Sequence, residues 1–142
     1  MHDILMQQMK EEVIRYGVQE LCTPEDVDAI LGKSKGTVLV FLNSVCGCAG
    51  GVARPALRLA LEHKNLPDEI KTVFASGDRE ATARAREYFT GMPPSSPSFA
   101  LLRDGKLVYM IHRSDIENST PQDIAAKLTA GFDQYCISVP QN

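Results

Sequence analysis

Five apolar residues in a row, Val38-Leu39-Val40-Phe41-Leu42, constrain the fold of this chain more than any other feature. A half-buried strand alternates apolar with polar side chains, whereas an unbroken run rich in β-branched and aromatic residues reads as a strand covered on both faces. Such a strand needs a sheet with a layer on each side. The flanking sequence supplies those layers. Leu5, Met9, Val13 and Tyr16 recur at helical spacing, which predicts an amphipathic helix over 3–16 ending at Gly17. A short strand is predicted over 18–21. Thr23 is placed to cap the next helix, with Pro24 at its first position, acids at Glu25 and Asp26, an apolar face of Val27, Ile30 and Leu31, and a stop at Gly32.

After the apolar strand comes a helix over 49–63, kinked at Pro55 because proline lacks a backbone donor. Residues 70–75 read as a second buried strand, and Asp78 as the cap of a helix running to Phe89 and stopped at Gly91. Asp104-Gly105 is a two-residue hairpin turn joining strands over 98–103 and 106–112. Ser119-Thr120-Pro121-Gln122 then opens a helix whose stripe is Ile124, Leu128 and Phe132. The order α-β-α-β-α-β-α-β-β-α predicts an α/β fold. Parallel strand–helix–strand units and an antiparallel last hairpin give a mixed sheet, with helices on both faces and a helical extension at the N-terminus.

The 142 residues suit one domain, 1–142, with no linker or repeat. A net charge of −3 and the absence of any Lys/Arg cluster argue against a nucleic-acid partner. No apolar run exceeds five residues, so no membrane span is expected, and Asp3, Lys10, Glu11, Glu12 and Arg15 interrupt any secretory signal. The four cysteines are scattered apart from one pair, which points to a cytoplasmic protein with reduced thiols. Its oligomeric state is not fixed by the sequence.

The pair, Cys46-Gly47-Cys48, lies between the end of the apolar strand and the start of a helix. A helix N-terminus offers unpaired N–H groups and partial positive charge, which favour the thiolate that attacks disulfides. Two residues apart, the Cα atoms stand roughly 5.5–7 Å from each other, near the limit for a disulfide, so a Cys46–Cys48 bond would be strained and easily reduced. Gly47 eases the geometry because it lacks a Cβ. A redox pair is the favoured reading. A metal pair and two inert thiols are the alternatives, and His2, His63 and His112 show no metal-ligand spacing with the cysteines. Cys46 meets solvent first and is the expected nucleophile, with Cys48 as the resolving thiol.

Other positions near the pair carry two readings each. Asn43 and Ser44 either shape the loop or hydrogen-bond the thiolate. Gly50-Gly51 either leaves open backbone for a substrate or gives packing room. Cys136 continues the 124, 128, 132 stripe as a buried apolar residue, or serves as a third redox thiol or a link between two subunits. Cys22 belongs to no motif and is read as inert, and His112-Arg113 as surface at the end of the last strand.

With strand, cysteine pair, proline-kinked helix, Ser96-Pro97 and hairpin in this order, the chain resembles the thioredoxin superfamily. It lacks the Cys-x-x-Cys and the preceding tryptophan of thioredoxin itself. It is similar instead to the bacilliredoxin family, through Asn43-Ser44-Val45-Cys46-Gly47-Cys48-Ala49, Ala53-Arg54-Pro55, Glu87-Tyr88-Phe89-Thr90-Gly91 and Pro94-Ser95-Ser96-Pro97-Ser98. The resemblance implies a thioredoxin-like fold with a cis bond before Pro97. It implies removal of bacillithiol, a small thiol, from bacillithiolated client proteins through Cys46 and Cys48. Gly47, Ser96 and Pro97 would form the substrate-binding edge. No bound cofactor or metal is implied, bacillithiol acting as thiol co-substrate. Disulfide isomerisation, or carriage of a metal or cluster by the Cys-Gly-Cys pair, are the alternatives. Arg54 or Arg58 would meet the bacillithiol carboxylates.

Overall fold

The computed structural model describes residues 2–32 and 35–136, with side chains from residue 4 onward. Helix α1 spans His2–Ile14, and strand β1 covers Gln19–Glu20. Helix α2 is Pro24–Leu31, and strand β2 is Thr37–Asn43. A π-helical turn, Ala49–Ala53, leads into α3, Arg54–Ala60. Strand β3 (Glu69–Phe74), helix α4 (Arg79–Glu87) and the hairpin β4 (Ser98–Arg103) and β5 (Lys106–Ile111) follow. Helices α5 (Arg113–Glu117) and α6 (Pro121–Tyr135) complete the order.

The five strands form one sheet in the order β1-β3-β2-β4-β5. β1 and β2 run parallel to β3, while β4 is antiparallel to both β2 and β5. Every residue of β2 is buried, as its apolar run requires. The period of two divides it between two cores. Leu39 and Phe41 pack with Ala56, Leu57, Ile124, Leu128 and Phe132 on the α3/α6 face. Val38, Val40 and Leu42 pack with Val27, Leu31, Ala81, Ala85 and Phe89 on the α2/α4 face. Phe41 lies opposite Phe99 across the β2/β4 ladder, with their rings stacked 4.7 Å apart. Such a pair contributes about 0.5–1.5 kcal/mol beyond its burial.

The local signals act as chemistry dictates. Thr23 and Thr120 each accept a bond from the backbone N–H three residues on, capping α2 and α6. Asp104 and Gly105 both take positive φ (54° and 81°), the geometry of the two-residue hairpin. Three expectations need correction. Asp78 stands at the start of α4 but makes no capping bond, because its carboxylate pairs instead with Lys10 of α1 at 3.1 Å. Only the C-terminal half of the α1 stripe is covered: Val13 is buried, whereas Leu5 is 55% exposed. The last strand ends at Ile111, and α5 follows at once, an element absent from the predicted order.

Candidate active site

The parallel strand β2 delivers the chain to the site at Asn43, where buried polar groups build the floor of the cysteine loop. Asn43 is almost fully buried. Its amide donates to the Met9 carbonyl of α1 at 3.2 Å, and its Oδ1 accepts from the Ser44 N–H at 2.9 Å and from Arg54 Nη1 at 2.9 Å. Arg54, 4% exposed, also donates through Nη1 to the Ser44 carbonyl at 3.0 Å and through Nε to Glu12 at 3.0 Å. This arginine ties α1, the end of β2 and α3 together beneath the cysteine loop. It is therefore not free to meet a substrate carboxylate, while Arg58 pairs with Glu62 at 3.8 Å. A Cβ at Gly50 would lie 2.8 Å from Arg54 Nη2, so Gly50 provides packing room, while Gly51 borders open space.

The helix kink takes a specific form. The Arg54 N–H bonds to the Ala49 carbonyl, five residues back, so the turn after Cys48 is widened to a π-turn. Pro55, with no N–H to give, follows at the start of the α-helical register.

Cys46 and Cys48 project at the mouth of this helix as free thiols, their Sγ atoms 2.9 Å apart. Cys48 packs against the α3/α6 core, whereas Cys46 does not. Burial works against a charge on Cys46. Hydrogen bonds from the Cys48 thiol, the Ser44 hydroxyl and the backbone N–H groups of Ala49 and Cys48 outweigh it and hold its pKa below the ordinary thiol value. Burial, the bond to Cys46 and repulsion by its charge push Cys48 up, with Arg113 opposing. The contact between the two sulfurs thus favours the thiolate at Cys46 and the thiol at Cys48. Gly47 is exposed, has no positive φ, and a Cβ there would meet nothing within 4 Å. Its use in this state is an unobstructed approach to the sulfurs rather than unusual backbone angles.

Ser96–Pro97 is a cis peptide bond, and Pro97 is buried. The loop is held from two sides. Ser95 accepts on its carbonyl from Arg86 Nη2 at 3.4 Å and from the Ser98 hydroxyl at 2.9 Å. Arg113 donates its backbone N–H to Ser95 Oγ at 3.3 Å and Nη1 to the Ser96 carbonyl at 3.4 Å. Arg113 is the residue that sequence reasoning placed on the surface. Its charge acts on both thiols of the pair, and its hydrogen bonds hold the proline loop. The missed signal was Asp115, whose carboxylate accepts from the His112 N–H at 2.9 Å to start α5 with a capping box.

The remaining cysteines lie elsewhere. Cys136 ends α6 beside Thr37, at the opposite end of β2. The seven residues of β2 separate it from the pair by about 20 Å at the usual rise, so it cannot serve as a third thiol for Cys46 within this fold. Burial raises its pKa. Cys22 follows β1, and partial burial with the acids Glu20 and Asp78 pushes it up to about 11. Glu20, Cys22 and Asp78 bring potential metal-ligand atoms within 4.8 Å, but the Lys10 ammonium already pairs with Glu20 at 3.0 Å and Asp78 at 3.1 Å. Among the described residues, no third ligand group clusters with Cys46 and Cys48. His63 bonds Asp133, and the His2 side chain lies outside the described residues.

A family model described as disulphide isomerase matches residues 1–136. A bacilliredoxin of Geobacillus kaustophilus is 55% identical over 139 residues, covering 98% of this chain and 95% of the relative. The chain belongs to the bacilliredoxin family. A bacilliredoxin of Koribacter versatilis is 52% identical over 134 residues, covering 94% of this chain and 92% of its own. Among solved structures, thioredoxins of Malassezia sympodialis (TM-score 0.60, 17% identity, 84% of this chain and 91% of that one) and Fasciola hepatica (0.58, 21%, 83% and 99%) share the fold. As a bacilliredoxin with the thioredoxin fold, the chain is a thiol–disulfide oxidoreductase. No helix among the described residues is long and apolar enough to cross a membrane.

Proposed function

We propose that this bacilliredoxin removes bacillithiol from bacillithiolated client proteins in the cytoplasm, with Cys46 as nucleophile. The observation that carries the reading is the 2.9 Å contact between the two sulfurs at the start of the helix, across which the Cys48 thiol favours a thiolate at Cys46. The Cys46 thiolate attacks the bacillithiol sulfur of the mixed disulfide. A Cys46–bacillithiol bond forms, the client–bacillithiol bond breaks, and the client thiolate leaves with the electron pair and takes a proton from solvent. Cys48, 2.9 Å away, then gives up its proton and attacks Cys46 Sγ, expelling bacillithiol thiolate and closing the Cys46–Cys48 disulfide. Two further thiol molecules reduce that bond and become a disulfide themselves. Alternatively, a second bacillithiol resolves Cys46 directly. Gly47 leaves the approach open, and Ser96 and Pro97 form the edge against which the substrate lies.

Disulfide isomerisation is the second reading, favoured by the description of the matching family model. It uses the same attack by Cys46 but on a client sulfur. Intact-mass analysis of the protein mixed with a bacillithiol-modified client separates the two. Transfer of one bacillithiol to the protein, abolished in Cys46→Ser and trapped in Cys48→Ser, is the expected result. A covalent protein–client adduct in Cys48→Ser without bacillithiol transfer would replace this reading by isomerisation.

A further inference from the structure

Among the described residues, one cation near the thiol pair, Arg113, has donors to spare. Arg113 is fixed at both ends: its backbone N–H bonds Ser95 Oγ, and its Nη1 reaches the Ser96 carbonyl. Its Nε bonds Glu117 one turn along α5 at 2.8 Å. A guanidinium carries five N–H donors, so three remain uncommitted on a side chain that is 45% exposed. Arg54, the other arginine near the loop, is spent on Glu12, Asn43 and Ser44, and Arg86 of α4 reaches only the far side of the proline loop through Ser95. α5 packs on the π-turn that follows Cys48, and the Arg113 charge is close enough to act on both sulfurs.

We propose that Arg113 is the anion-recognition residue for the small thiol that Cys46 accepts, binding its carboxylate while the sulfurs exchange. The proposal rests on bacillithiol removal as the function and specifies the residue that selects the co-substrate. Planar, two-point recognition of a carboxylate is what a guanidinium does best. Here it costs little ordering, because the side chain is already held against the Ser96 carbonyl. Glu117 occupies Nε and the Ser96 carbonyl one Nη1 hydrogen, which leaves the second Nη1 hydrogen and both on Nη2 for the ligand. Thiolate stabilisation alone would use the same charge but would treat every small thiol alike, which gives the test.

The client protein is modified in parallel with bacillithiol, which carries carboxylates, and with 2-mercaptoethanol, which carries none. The single-turnover rate of transfer to Cys46 is then measured for native protein, Arg113→Ala and Arg113→Lys. The ratio of bacillithiol to mercaptoethanol rates is expected to fall about tenfold in Arg113→Ala, the low end for a hydrogen bond to a charged group, and to recover in part in Arg113→Lys. The native ratio is expected to fall with added salt, as screening requires. An unchanged ratio in both variants, with native protein still accepting bacillithiol, overturns the role of Arg113 alone. No bacillithiol transfer to native protein overturns the function on which the proposal rests. Because the readout is a ratio within one variant, a general loss of folding cancels.

Discussion

Cys22 and Cys46 occupy the same place in the fold and have opposite chemistry. Each follows a parallel strand, β1 or β2, and each precedes a helix. Cys22 is the more exposed of the two. Partial burial and the neighbouring acids Glu20 and Asp78 nonetheless push its pKa up to about 11, so it stays a thiol at neutral pH. Cys46 faces the Cys48 thiol, the Ser44 hydroxyl and two backbone N–H groups, which overcome its burial and lower its pKa. The strand-to-helix position is therefore not sufficient. The donors within hydrogen-bond reach decide which sulfur is the more readily ionised.

The sharpest break in this comparison is removal of the proposed nucleophile. Cys46→Ser should abolish disulfide exchange with any client, read by intact mass, whereas Cys22→Ser should leave it at the native rate. Next comes the scaffold that aims Cys46. Arg54→Ala strands buried Asn43 and the Ser44 carbonyl and should cost roughly 2–4 kcal/mol in chemical denaturation, with Arg54→Lys restoring only part. The same loss at the exposed pair Arg58–Glu62 should stay under about 1 kcal/mol. A third variant moves Cys22 toward Cys46: Glu20→Gln removes a carboxylate that raises its pKa. Its alkylation at pH 8 should speed up several-fold to about tenfold, since each pKa unit is a tenfold change in thiolate. Last, Ser44→Ala removes one of several donors to Cys46, and thiolate formation should shift to higher pH with about a two- to fivefold slower alkylation at pH 7.

The fold was legible wherever a residue type has one physical use. The unbroken run at 38–42 demanded a doubly covered strand, Asp104-Gly105 a hairpin, and Thr23-Pro24 and Thr120-Pro121 helix starts, and all stand in the structure. The placement of the cysteine pair, between the end of β2 and the start of a helix, was legible for the same reason. The hidden parts depend on contacts distant in sequence. Asp78 looked like a cap, but Lys10 on α1 takes its carboxylate. Arg54 was a candidate to meet the bacillithiol carboxylates, yet it is buried and bonded to Glu12 and Asn43, from two other elements. Arg113 sits in a five-residue helix with one buried apolar residue, Ile116, too short for any periodicity to reveal. The cysteines could be found from spacing alone, whereas the residues that tune them are brought in by tertiary packing.

The most direct test is site-resolved alkylation of the native, reduced protein with iodoacetamide across pH 5–10, each cysteine followed by mass spectrometry. Because its pKa is lowered, Cys46 should ionise on the acid side of the ordinary thiol range and be labelled first. Cys48 should lag behind it, and exposed Cys22 should label appreciably only as the pH climbs toward about 11. Labelling of Cys22 ahead of Cys46 at pH 7 would contradict the account, because exposure rather than the surrounding donors would then govern which thiol reacts.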